Sequence, residues 1–148
     1  MALDQSFIGR VYPPTAPYEV GREKIREFAD AIEDSNAVFR DPVAARAQGY
    51  PDVIAPPTFA VVMTLNAAHV VSKDPALGLD FSKVVHGEQR FLYARPVLAG
   101  DVLQVVVSVE SIRAAAGNDL LTTKAEVSTV DGELVVTAYS TIVARGTA

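Results

Sequence analysis

Few side chains here can move protons: the chain has two histidines, no cysteine, and carboxylates spread through 148 residues. Without cysteine there is no thiolate nucleophile, no disulfide and no cysteine-ligated metal, and no His or carboxylate cluster has metal-ligand spacing, so no metal site is expected. His86 stands in Val-Val-His86-Gly87-Glu88-Gln89, at the head of a strand-like run beside two hydrogen-bonding side chains. Two readings stay open for it: a general acid or base near neutral pH, and a structural imidazole at a strand end or subunit interface. His69 falls inside an apolar run and reads as a hydrogen-bonded or interface residue. Asp34 and Asn36 lie two residues apart just after a helical segment, where an Asp either bonds local backbone or orients a substrate. Arg90 and Arg95 belong either to a solvated face or to a phosphate contact. The sequence has neither a Gly-x-Ser-x-Gly elbow nor a phosphate-cradling glycine loop with lysine.

The elements that must position these residues follow from periodicity. Residues 10 to 18, with three prolines, read as an extended arm. From Arg22, the apolar residues Ile25, Phe28, Ala29 and Ile32 recur at helical spacing and predict an amphipathic helix. Asp41 as N-cap, Pro42 at the first helical position and Gly49 past the end predict a second, short helix. Thr58 opens a third helix of about four turns, apolar on most sides and expected to be buried all round. After a loop over 73 to 82 the period changes to two, predicting strands over 84–94, 101–114, 119–129 and 133–144. Gly117-Asn118 and Asp131-Gly132 supply hairpin turns, which makes the C-terminal half an antiparallel meander. A buried helix followed by long antiparallel strands is an α+β architecture in which the sheet wraps the helix. One domain spanning 1–148 is expected. An open sheet edge would be managed by pairing with another copy.

Composition narrows the partners. Thirteen basic against eighteen acidic residues, net charge −5, leave no basic stripe for a nucleic acid. The longest apolar stretch, 59 to 71, is interrupted by Thr64, Asn66 and His69 and is too short to span a bilayer. The start, Met-Ala-Leu-Asp-Gln, lacks a basic segment ahead of an apolar one. A cytoplasmic protein without membrane or nucleic-acid partners is expected.

The run Phe28-Ala-Asp-Ala-Ile-Glu-Asp34-Ser-Asn36-Ala-Val-Phe39-Arg-Asp41-Pro42, then Ala44-Ala45, Gly49 and Ile54-Ala-Pro-Pro-Thr-Phe59, resembles the hydratase motif of MaoC-like hot-dog proteins. That motif runs Gly-Asp-x-Asn-Pro-x-His-x-Asp-Pro, then an Ala-rich helix, then a buried helix entered through a Gly-rich turn. Phe91-x-Tyr-x-Arg95-Pro96-Val97-x-Ala-Gly100-Asp101 resembles the family's second signature. The resemblance covers residues 18 to 145 and is specific in combination. It implies a hot-dog fold and a (3R)-hydroxyacyl-thioester dehydratase/hydratase of fatty-acid metabolism, acting without a cofactor on acyl-CoA or acyl-ACP. Within the family the chain looks most like small actinobacterial subunits of fatty-acid and mycolic-acid elongation, one of which lacks the full dyad and pairs with one that has it.

Dehydration across Cα and Cβ needs a proton exchanged at Cα, a group for the leaving hydroxyl, and donors to the enolate-like oxygen. The resemblance gives the first two tasks to an Asp and a His five residues apart and the third to an NH where the buried helix begins. Carried over by position, the Asp is Asp34 and the Asn is Asn36. The His position holds Phe39, the motif's Pro is Ala37, and the Gly before the Asp is Glu33. A phenyl ring neither accepts nor delivers a proton, so the dyad is broken. Asn36 is expected to orient Asp34, Phe39 to line an acyl channel, and His86 is the candidate substitute for the missing His. At the helix entry the family's Gly aligns with Pro57, which has no NH, leaving the NH of Thr58 as oxyanion donor. Two functions follow: a dehydratase or hydratase, or a non-catalytic acyl-thioester-binding subunit of an active hot-dog partner. Either a homodimer or a heterodimer satisfies them.

Overall fold

A computed structural model describes residues 2–147. It contains β1 (Tyr18–Glu19), α1 (Arg22–Ala31), α2 (Pro42–Ala47), α3 (Val61–Ser72), β2 (Val84–Tyr93), β3 (Val102–Ala115), β4 (Asn118–Thr129) and β5 (Leu134–Ala144). The four long strands match the alternation in the sequence to within one residue at most ends. They form one curled antiparallel sheet in the order β1-β3-β4-β5-β2, and α3 packs on its inner face against β3 and β4. This is the α+β hot-dog arrangement.

Three expectations need correction. First, β2 does not sit beside β3 as a simple meander would place it. It crosses to the far side and pairs with β5, from Val84 opposite Ala144 to Tyr93 opposite Val136. Second, α3 begins at Val61, three residues later than expected. Pro56 and Pro57 force a tight turn, in which the NH groups of Phe59, Val61 and Val62 bond the carbonyls of Pro56, Thr58 and Phe59 three residues back. Nor is α3 buried all round: Met63, Thr64, Ala67 and Val71 face the core, while Leu65 and Val70 are exposed. Third, the first hairpin turns on Ala116 (φ 51°) and Gly117 (φ 78°), both left-handed, and Asn118 already belongs to β4.

The two sheet edges are treated differently. Beside β3, the N-terminal arm runs as an irregular strand. NH groups of Gly9, Tyr12 and Thr15 bond the carbonyls of Val109, Val107 and Val105 at 2.9 to 3.0 Å, and Leu3 and Phe7 are buried beneath it. Pro13, Pro14 and Pro17 have no NH to offer a further strand. Strand β2, at the other edge, is ten residues long and carries exposed Val85 and Leu92. Among the described residues no further strand pairs with it, which is the arrangement that invites another strand.

Candidate functional site

The loop after α1 is fixed by its own side chains. The helix stops at Ile32, and Glu33 takes a φ of 58°, a left-handed conformation that disfavours any residue with a Cβ. A glycine at this point, as in the motif the loop resembles, relieves that strain. The Asp34 NH then bonds the Ala29 carbonyl at 2.9 Å. The Asp34 carboxylate accepts the Asn36 NH at 3.0 Å, and the Asn36 side-chain oxygen accepts the Val38 NH at 3.1 Å. Such side-chain-to-backbone turns set a loop without regular structure. Arg40 ties it to the Asp30 carboxylate and the Asp34 carbonyl, and Val38 and Phe39 anchor it in the core.

Beneath this loop lies a cleft of about 550 Å³. One wall is Asn36, Val38 and Phe39, with Gln48 and Tyr50 following α2; the other is Ile54, Ala55 and Pro57 with the stretch from Tyr93 to Pro96. The Tyr93 hydroxyl donates to the Pro57 carbonyl oxygen at 2.6 Å. Burial pushes this phenol up to about 12, so it remains a neutral donor at physiological pH. Arg95 is fully engaged in the opposite sense. It grips Asp101 through both terminal nitrogens at 2.9 and 3.0 Å, meets Glu133 through Nε at 2.8 Å, and donates to the Pro96 carbonyl at 2.9 Å. Its bonds to Asp101 hold its pKa above the ordinary arginine value. This guanidinium is a structural clamp rather than a free phosphate ligand.

Of the residues singled out in the sequence, Asn36, Phe39 and Pro57 line the cleft. Asp34 is half-buried but lines neither this cleft nor the next, its carboxylate being engaged with the Asn36 NH. Thr58 is exposed in the turn before α3, outside the cleft wall. His86 lies elsewhere: it lines a second cavity of about 260 Å³ shared with His69, where its Nε2 is 3.2 Å from the Ser140 hydroxyl. A bulge between His86 and Glu88 shifts the alternation so that His86, Gln89, Phe91 and Tyr93 all face inward. Gly87 sits at the bulge, and a Cβ there would come within 3.3 Å of the Thr141 carbonyl oxygen. Tyr93 is a cleft residue that sequence reasoning passed over, because the bulge decides the face on which it falls.

A family model described as "FAS1-like, dehydratase domain region" matches residues 6–138. The chain belongs to that family. It is 64% identical over 148 residues to a UPF0336 protein of Saccharopolyspora erythraea, covering 100% of this chain and 95% of the relative. Among solved structures it is similar to a MaoC-like dehydratase, with a TM-score of 0.89 and 33% identity over 95% of this chain. The chain spans only 43% of that protein's length. It is also similar to a chain of the truncated HadBC (3R-hydroxyacyl-ACP dehydratase) complex of Mycobacterium tuberculosis. There the TM-score is 0.81 and identity is 32%, covering 93% of this chain and 96% of that one. Membership in this family puts the chain among dehydratase and hydratase domains. Among the described residues, no helix is long and apolar enough to cross a membrane.

Proposed function

We infer that this chain is an acyl-thioester-binding subunit of a (3R)-hydroxyacyl-thioester dehydratase, which works with a second hot-dog subunit carrying an intact Asp/His pair. One observation carries the reading: among the described residues, neither an Asp nor a His lines the cleft beneath the motif loop. Phe39 occupies the His position as a buried wall residue, Asp34 lies outside the cleft lining with one carboxylate oxygen accepting the Asn36 NH, and His86 belongs to another cavity. The cleft still has the mostly apolar lining and few polar groups of a ligand site. In this reading Asn36, Phe39 and Pro57 bound the acyl thioester. The exposed face of α3 and the open edge of β2 are where the second subunit docks. The HadBC neighbour, itself a complex, is in keeping with such pairing.

The test is reconstitution. The chain is mixed with a hot-dog subunit bearing the complete Gly-Asp-x-Asn-Pro-x-His motif, and hydration of enoyl-CoA substrates of graded length is followed. Faster turnover in the mixture than with the partner alone is expected, with a chain-length preference that shifts when Phe39→Ala is used. A mixture indistinguishable from the partner alone contradicts the reading.

A further inference from the structure

The outer face of the sheet carries charge that the thioester reading leaves unused. Leu121, Thr123 and Ala125 of β4 point to the core, so the alternate residues Leu120 and Thr122 point away from α3. Strand register sets four side chains beside these two. Thr141 of β5 lies opposite Thr122, Glu88 of β2 opposite Thr141, Arg90 opposite Tyr139, and Arg113 of β3 opposite Leu120. Together they line a pocket of about 360 Å³. Gly87, at the bulge, keeps its floor low, since a Cβ there would stand 3.2 Å from Cγ2 of Val143.

The two arginines are the informative pair. Arg10, Arg22, Arg40 and Arg95 each meet a carboxylate; among the described residues, Arg90 and Arg113 meet none. The Arg90 guanidinium lies over the Tyr139 ring, 4.4 Å from its centroid, a stacking that holds the planar group while leaving its in-plane NH donors free. Lys124 is engaged with Glu126 at 3.3 Å and stays out of the lining. Two guanidinium forks suit an oxyanion, phosphate above all. Glu88 narrows the choice. An ionised carboxylate accepts hydrogen bonds and donates none, so it repels a bare phosphate and accepts hydroxyls. The Thr122 and Thr141 hydroxyls are 2.8 Å apart; one proton of the pair bridges them, and the other is left for a ligand. The volume falls within the roughly 300–1,000 Å³ of small-molecule sites, more than a phosphate alone fills.

We propose that this pocket binds a phosphorylated polyol of the sugar-phosphate class, its phosphate held between Arg90 and Arg113 and its hydroxyls by Glu88 and the Thr122–Thr141 pair. Pairing through the edge of β2 uses main-chain groups and leaves this face of the sheet open. The pocket shares no lining residue with the cleft beneath the motif loop, so the two sites stand or fall separately.

The experiment titrates the full chain with ribose 5-phosphate, inorganic phosphate and ribose at low ionic strength, where exposed charges are least screened. Affinity is followed by calorimetry and the Arg90 and Arg113 Nε–H signals by NMR. Ribose 5-phosphate is expected to bind most tightly of the three and to move both arginine signals. Arg90→Gln and Arg113→Gln, at exposed positions, should each weaken it about tenfold, the loss of one charge-assisted hydrogen bond, and leave the melting curve near that of the parent. Glu88→Ala should narrow the preference over inorganic phosphate, because a hydroxyl acceptor is lost. Three results would each overturn the proposal: no saturable binding of ribose 5-phosphate, inorganic phosphate or ribose binding as tightly as the ester, or unchanged affinity for the ester in the folded double arginine variant.

Discussion

Tyr93 and Pro57, thirty-six residues apart, meet in a 2.6 Å hydrogen bond from the phenol to the proline carbonyl. The bond fastens the end of edge strand β2 to the turn that starts α3, across the mouth of the cleft. Tyr93→Phe removes the donor and leaves that carbonyl without this partner. A loss of about 1 kcal/mol is expected, read as a fall of roughly 2–4 °C in melting temperature.

The same phenol makes an alkaline signature. Its folded-state pKa is raised by burial to about 12 from an ordinary 10.0, so the folded protein holds the proton more tightly than the unfolded chain does. That contribution is whole below pH 10 and disappears as pH rises toward 12. Denaturant midpoints measured from pH 9 to 12 should fall more steeply for the parent protein than for Tyr93→Phe. Parallel curves would show that the hydroxyl is not desolvated.

Glu33 holds a left-handed backbone at φ 58° with an exposed side chain. Glu33→Gly removes the Cβ clash, worth roughly 1–2 kcal/mol, against a smaller entropic loss. The net expectation is a gain of about 0.5–1 kcal/mol in urea unfolding. A loss would mean that the Glu33 side chain contributes something beyond its backbone.

The hot-dog layout was legible because it rests on local periodicity. α1, with Ile25 and Ala29 inward, α2 between Asp41 and Gly49, and the alternating Val and Thr of β3 to β5 all carry their faces in the sequence. Phe39 was placed by the resemblance alone, as the ring at the position of the motif's His. What escaped depends on contacts distant in sequence. The start of α3 was misplaced because Thr58 looks like a cap until Pro56-Pro57 is seen to close a turn ahead of it. His86 was considered as a partner for Asp34, but its neighbours are set by the pairing of β2 with β5 and by the bulge at Gly87. Tyr93 gained its role from the same crossing, which brings it to Pro57.

Arg95 links β2's exit to two carboxylates, and the Asp101 side chain is only 12% exposed. Arg95→Met leaves the Asp101 carboxylate with the Leu98 NH but no cation and also frees the Pro96 carbonyl. Stability should fall by about 2 kcal/mol, below the 3–5 kcal/mol of a fully buried pair because Arg95 is a quarter exposed. Thermal melting is the check, and an unchanged midpoint would show the clamp to be ornamental to folding.

The proposed pairing edge is open to direct attack. Val85 and Leu92 on β2 are 42% and 53% exposed in the single chain, so Val85→Lys with Leu92→Lys should leave the fold intact. Charge on an edge strand opposes pairing. Sedimentation of the doubly substituted chain should show a monomer where the parent associates, with unchanged circular dichroism.

The central claim, that the cleft binds but does not by itself catalyse, is tested most directly by the hydration of crotonyl-CoA by the purified chain alone. The account predicts no rate above the uncatalysed background and no change on Asp34→Asn. Robust turnover by the isolated chain, abolished by Asp34→Asn in a protein that still folds, would contradict it.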